Sequence, residues 1–175
     1  AFYPPAADAA DRGPALSERM KRYPEEALSL AVEACQAALD DADITPKQIG
    51  QLVVVSCTGF SAPGVDIGLI DALELSPTVG RPMVGFMGCH GAMNGLRVAR
   101  SLAESLNQPD QHVLMCCVEL CTLHFQYGWD PQKVVANALF ADGAAAIVGR
   151  AEPDHFDDSS PSSANRSGIP GVTAH

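Results

Sequence analysis

Cys89 stands in the segment RPMVGFMGCHGAMNGLRVARSLAE, residues 81–104, with Gly88 directly before it and Gly91 two positions after it. An apolar run ends at the first glycine, and helical spacing begins at the second. The glycines let the backbone turn sharply, so the pattern predicts a thiol presented at the carboxyl end of a strand. A helix starting directly after it aims unpaired backbone N–H groups at the sulfur. That field favours the thiolate, which is the nucleophilic form of cysteine, and covalent nucleophilic catalysis is the chemistry such a corner offers. The local pattern taken alone also fits an inert, buried cysteine in a strand-to-helix turn.

The other reactive side chains are less well placed. His90 follows Cys89 directly, but adjacent residues at a helix start point apart, so it is read as structural rather than as a base for the thiol. His112 opens a strand after a polar turn, His124 falls in an irregular segment, and His155 and His175 lie in a polar terminal stretch. None has the context of a catalytic base. Cys116, Cys117, Cys121 and His124 are compact enough in sequence to suggest a metal site. Cys116 and Cys117 would face opposite sides of a strand, however, and paired CxxC ligands are missing, so no metal is expected. Cys57, Cys89, Cys116 and Cys117 sit inside or at the ends of apolar runs, where a free thiol behaves as a small hydrophobe, and no disulfide framework is indicated.

Alternating elements must position Cys89. Residues 1–16 are rich in Ala, Pro and Asp without periodicity and read as a leader loop. Apolar residues then recur at spacings of three and four from Pro24 to Asp41, which predicts a helix with Glu25 and Glu26 in its first turn. Thr45, Pro46 and Gln48 have the form of a capping box opening a short helical turn. LVVVSC, residues 52–57, is a continuous apolar run that fits a strand buried on both faces. Helical spacing covers 65–75, a second strand-like run covers 81–88, and a helix with a small-residue inner stripe of Ala92, Leu96, Ala99, Ala103 and Leu106 covers 91–106. After a turn at Asn107–Asp110, strands are predicted at 112–118 and 144–148, with a partly helical excursion over 119–141. The βαβαβ alternation predicts a mainly parallel sheet between helical layers. From Ala151 the composition turns to Asp, Ser, Pro, Gly and Asn, the signature of a flexible tail or linker.

Composition narrows the class. A 175-residue chain with 47% hydrophobic residues can bury a real core. Eleven basic against twenty-one acidic residues give a net charge of −10, which opposes attraction to nucleic acid or anionic lipid. Every apolar stretch is interrupted well short of the roughly 20 residues of a membrane span. The start of the chain does not read as a secretory signal, so a reducing cytoplasm is the expected compartment. Arg19, Lys21 and Arg22 form the one tight basic cluster. It is read as a solvated stretch before a helix, although an anionic thioester would need such a patch.

Several separated motifs together resemble the chalcone and stilbene synthase family of type III polyketide synthases. VVSCTG followed by APGVD (62–66), the segment around Cys89, VELC near residue 118, and ALFADGAAAIVG (138–149) occur in the family's order, within a region running from about Glu25 to Arg150. The resemblance implies a thiolase-like layered αβα fold, with this chain as the N-terminal half: a leader at 1–16, the cysteine-bearing domain at 17–150 and a tail at 151–175. It implies that Cys89 takes a starter acyl group from an acyl-CoA as a thioester and that malonyl-CoA supplies the attacking carbanion. Phe140 matches the gatekeeper aromatic, Cys57, Thr58 and His124 match cavity-lining positions, and Ala62 matches the residue reaching into the neighbouring subunit of a homodimer. Coenzyme A thioesters are implied as substrates, with no resident cofactor. Two departures stand out. His90 replaces the usual aromatic after the nucleophile, and no segment resembles the His and Asn that the family draws from its second half, so the chain is expected to be a portion of such an enzyme. A ketoacyl carrier-protein synthase III, a hydroxymethylglutaryl-CoA synthase, and a non-catalytic piece of the fold are the alternatives.

Overall fold

The computed structural model describes residues 3–151 apart from 107 and 109, so the tail assigned from residue 151 lies, beyond Ala151 itself, outside the described residues, as do His155 and His175. The regular elements are α1 (Leu16–Ala42), β1 (Ile49–Ser56), α2 (Val65–Ala72), β2 (Met83–Gly85), α3 (Gly91–Ser105), β3 (His112–Leu120), α4 (Pro131–Leu139) and β4 (Asp142–Gly149). Short 3₁₀ turns occur at Pro46–Gln48, Gly88–His90 and Cys121–His124. The sheet has the order β2-β1-β3-β4, with β1 parallel to both β2 and β3 and β4 antiparallel to β3. Because β2 and β3 both neighbour β1, α3 must cross over β1 to join them.

The unbroken apolar run of β1 follows from burial on both faces. Leu52 and Val54 point into a core shared with α1 and α2, while Val53 and Val55 point into a second core under α3. β3 divides in the same way: Leu114, Cys116 and Val118 face α1, and Val113 and Met115 face α3. Covering both faces is what a parallel pair requires, since its crossover helices have nowhere else to pack. β4 is covered on one side only. Ala144, Ala146 and Val148 pack toward α1, whereas Ile147 remains 47% exposed on the other face.

Four sequence expectations are corrected by packing. The helix expected from Pro24 begins at Leu16 and carries Pro24 inside it. A proline there removes one backbone hydrogen bond, yet the preceding turns are held by tertiary contacts. The Arg19 guanidinium donates to the carbonyls of Leu123 at 2.6 Å and Phe125 at 2.9 Å, and the Tyr23 hydroxyl lies 2.6 Å from Ser56 Oγ. Arg19 is therefore buried structure rather than part of a solvated basic stretch, while Lys21 and Arg22 stay on the surface beside Glu18 and Glu26. The strand expected over 81–88 is confined to Met83–Gly85, because Phe86 takes a left-handed φ of 58° that ends the pairing with β1.

The inner stripe of α3 is Gly91, Gly95 and Ala99 rather than Ala92 and Leu96; Leu96 is 41% exposed. Close approach explains the shift. A Cβ on Gly95 would lie 2.6 Å from Val55 Cγ2, and one on Gly91 would lie 2.9 Å from Val55 Cγ1. The capping box at Thr45 is present, with Gln48 Oε1 accepting from the Thr45 N–H at 2.9 Å. No helix among the described residues is long and apolar enough to cross a membrane.

Candidate active site

In an open parallel sheet, ligands bind outside the carboxyl ends of the strands, where the loops converge. Here the three parallel strands end side by side and each is followed by a cysteine: Cys57 after β1, Cys89 in the turn after β2, and Cys121 after β3. β4 runs the other way, so it brings its beginning to this rim, with Phe140 just before it and Asp142 paired to Leu120. The result is a cleft of about 390 Å³ whose walls include Cys57, Thr58, Cys89, Cys121, His124 and Phe140. Five of the six residues singled out from the sequence thus share one cavity. The sixth, Ala62, lies outside it on the exposed loop between β1 and α2.

Cys89 is the middle residue of the Gly88–His90 turn and stands immediately ahead of α3. Gly88 adopts φ +61° with nothing within 4 Å of where a Cβ would be, so glycine serves the turn's conformation there rather than its packing. The Cys89 side chain is exposed. His90 lies in the same turn but not on the cleft wall.

The wall opposite is tightly hydrogen-bonded. Glu119, near the end of β3, accepts from the Cys57 N–H at 2.9 Å, the Thr58 N–H at 3.0 Å and the Thr58 hydroxyl at 2.7 Å. Thr58 Oγ1 in turn accepts from the Leu120 N–H at 2.8 Å. His124 Nε2 lies 2.5 Å from the Thr58 carbonyl oxygen. A carbonyl only accepts, so that nitrogen carries the proton and the ring is engaged in holding the wall. The Cys57 thiol donates to the Gly88 carbonyl at 3.3 Å, joining this wall to the turn that bears Cys89. Asp142 accepts from the Thr122 N–H at 2.7 Å and the Thr122 hydroxyl at 2.5 Å, which ties the Cys121–His124 turn to β4.

Three other thiols, Cys116, Cys117 and Cys121, hold their protons more tightly than a free cysteine. Burial pushes Cys121 up, with Glu119, Asp142 and Cys89 adding to it. Burial also pushes Cys117 up to about 11. Cys116 is raised by a hydrogen bond to Cys35 and by burial against α1. Cys116 lies on the α1 side of the sheet and Cys117 on the α3 side. Among the described residues no group of three or more His, Cys, Asp or Glu side chains is placed to hold a metal ion.

Sequence reasoning did not single out Glu119, although it is the one charged side chain in the run HVLMCCVELC, residues 112–121. A carboxylate inside an otherwise apolar strand was the available signal. Thr122 and Asn137, which also line the cleft, carried no such mark; Asn137 bonds the backbone of Gln126 from α4.

Residues 5–153 match the family described as chalcone and stilbene synthases, N-terminal domain. The chain belongs to this family. The alpha-pyrone synthesis polyketide synthase-like protein Pks18 of Mycobacterium tuberculosis is 39% identical over 133 residues, covering 76% of this chain and 33% of the relative. Among solved structures, PKS-I from the brown alga Ectocarpus siliculosus aligns with a TM-score of 0.78 at 37% identity, over 89% of this chain and 40% of its own. The C-terminal type III polyketide synthase domain of Steely1, a type I/III hybrid from Dictyostelium, aligns with a TM-score of 0.73 at 34% identity, over 78% of this chain and 37% of its own. The fold is therefore the thiolase-like α/β arrangement of type III polyketide synthases. The chain spans from a third to two fifths of the length of these relatives.

Proposed function

We propose that this chain is the cysteine-bearing portion of a type III polyketide synthase that condenses an acyl-CoA starter with malonyl-CoA, with Cys89 as the acyl carrier. The observation that carries the reading is the placement of Cys89 on a cleft shared with Cys57, Thr58, His124 and Phe140, at the carboxyl ends of three parallel strands. In the first step the Cys89 thiolate attacks the starter thioester carbonyl, the C–S bond to coenzyme A breaks with coenzyme A leaving as its thiolate, which takes a proton from water, and a new thioester forms on Cys89. In the second, malonyl-CoA loses carbon dioxide, and the resulting carbanion attacks the acyl carbon. The C–S bond to Cys89 breaks, and a β-ketoacyl-CoA with a regenerated thiolate results. Phe140, 55% exposed at the edge of the cleft, serves as the aromatic gate over the malonyl group.

The His and Asn that activate the thiol in this family come from outside the chain, in the second half of the fold. Coenzyme A thioesters are substrates and no resident cofactor is involved. The working unit is a homodimer in the cytoplasm, with the Ala62 loop meeting the neighbouring subunit.

The test is intact-protein and peptide mass spectrometry on the full-length protein supplied with a panel of acyl-CoA starters and then malonyl-CoA. An acyl adduct on the Cys89 peptide, and extended products that vanish in Cys89→Ala, are expected. An adduct on another residue, or a dependence on malonyl carrier protein in place of malonyl-CoA, sinks the proposal.

A further inference from the structure

We propose that Glu119 and Cys57 act together as positioning residues for the turn that carries Cys89, an inference that rests on Cys89 being the acyl acceptor. The geometry forms a continuous chain of contacts. The Glu119 carboxylate takes the two backbone N–H groups at the end of β1, those of Cys57 and Thr58, as well as the Thr58 hydroxyl. These are donors that a strand end would otherwise leave to water, and gathering them on one carboxylate holds the backbone of Cys57 in one place. From there the Cys57 thiol donates to the Gly88 carbonyl at 3.3 Å. A Cβ on Gly91 would stand 3.8 Å from the same sulfur. Cys57 therefore bonds the residue directly before Cys89 and lies on the side of the turn that Gly91 leaves open.

That turn needs outside support. Phe86, a bulky residue, occupies the left-handed region at φ 58° just past the last residue of β2 that pairs with β1. Such a conformation persists when its surroundings over-determine it. The same polar cluster has little capacity left for substrate: the Thr58 N–H, hydroxyl and carbonyl are each engaged, by Glu119, by Glu119 with Leu120, and by His124. Glu119 and Cys57 thus act through the backbone on the position of the nucleophile, and Thr58 and His124 complete the bracket.

The experiment compares the unsubstituted chain with Cys57→Ala, Cys57→Ser and Glu119→Gln. Iodoacetamide labelling of the Cys89 peptide is followed over time near neutral pH by mass spectrometry, and thermal melting of each protein is recorded alongside. Cys57→Ala and Glu119→Gln are expected to slow Cys89 labelling by about tenfold, a change of about 1.4 kcal/mol in its barrier. Cys57→Ser, which keeps a donor for the Gly88 carbonyl, is expected to restore the rate. A role confined to stability would move the melting temperature and leave labelling of the folded protein unchanged, and that result overturns the proposal. Faster labelling in Glu119→Gln also overturns it, since it would mean that Glu119 acts on Cys89 only as a nearby negative charge. If Glu119→Gln fails to fold, the uncharged Cys57 pair still decides. Absence of an acyl adduct on Cys89 in the full-length protein supplied with acyl-CoA starters removes the acyl-acceptor reading itself, a failure separate from any difference among the variants.

Discussion

Tyr23 is fully buried on α1, and its hydroxyl is satisfied by Ser56 Oγ at 2.6 Å. Tyr23→Phe leaves the buried Ser56 hydroxyl without that partner, so a loss of about 1–3 kcal/mol is expected, read as a lower urea midpoint with an unchanged slope. The thiols show a parallel effect of environment on chemistry. Cys116 keeps its proton through its hydrogen bond with Cys35 and its burial, and Cys117 through burial, whereas Cys89 is exposed ahead of α3. Alkylation near pH 8 should therefore mark Cys89 well before Cys116 or Cys117, and peptide mapping that finds Cys116 labelled first would contradict this. At this scale the motif around Cys89 was legible because glycine spacing encodes a turn directly. Glu119 was not, because its importance lies in three donors that come from another strand.

Among the elements, α1 and α3 illustrate opposite relations between local rule and packing. In α1, Pro24 breaks the helical hydrogen-bond pattern, and the helix continues because Arg19 and Tyr23 pin the turn before it to the Cys121–His124 region and to β1. Pro24→Ala should restore the missing bond and raise stability by about 1–3 kcal/mol, seen as a higher melting temperature. In α3 the glycines disfavour an isolated helix by about 1 kcal/mol each, but they allow the helix to lie against Val55. Gly95→Val would drive methyl groups into Val55 and Met115 and is expected to cost about 1–3 kcal/mol. Because α3 begins two residues after Cys89, the same substitution should slow Cys89 labelling. A melt and a labelling time course on one sample check both. Helix and strand periods located most elements, yet a stripe of alanines could not be told from a stripe of glycines until the neighbouring strand was in view.

For the whole molecule, the raised protons of Cys117 and Tyr23 set a direction for its pH dependence, burial being the first cause for both. The folded state holds these protons more tightly than the unfolded chain does, so the unfolded state gives them up first as pH rises. For Cys117 the associated stability is fully present below the ordinary cysteine value of 9.0 and is lost as pH rises through about 11, and for Tyr23 it is fully present below the ordinary tyrosine value of 10.0 and is lost above it. Urea midpoints at a series of alkaline pH values should fall across that window, and a flat profile there would count against it. Large apolar side chains also remain uncovered on the side of α4 and β4: Trp129 is 92%, Leu139 76% and Ile147 47% exposed. That asymmetry accords with a chain that spans only about a third to two fifths of the length of its relatives.

The amino-acid order by itself determined the alternation of strands and helices, the burial of β1 on both faces and the glycine-bounded corner at Cys89, because each is a matter of spacing along a few neighbouring residues. Tertiary structure decided where α1 begins, which face of α3 is inside, that β4 runs antiparallel, and that Glu119 braces the wall opposite the thiol. Those outcomes depend on groups tens of residues apart meeting at a common rim, and the energy that selects them exists only after the strands have paired.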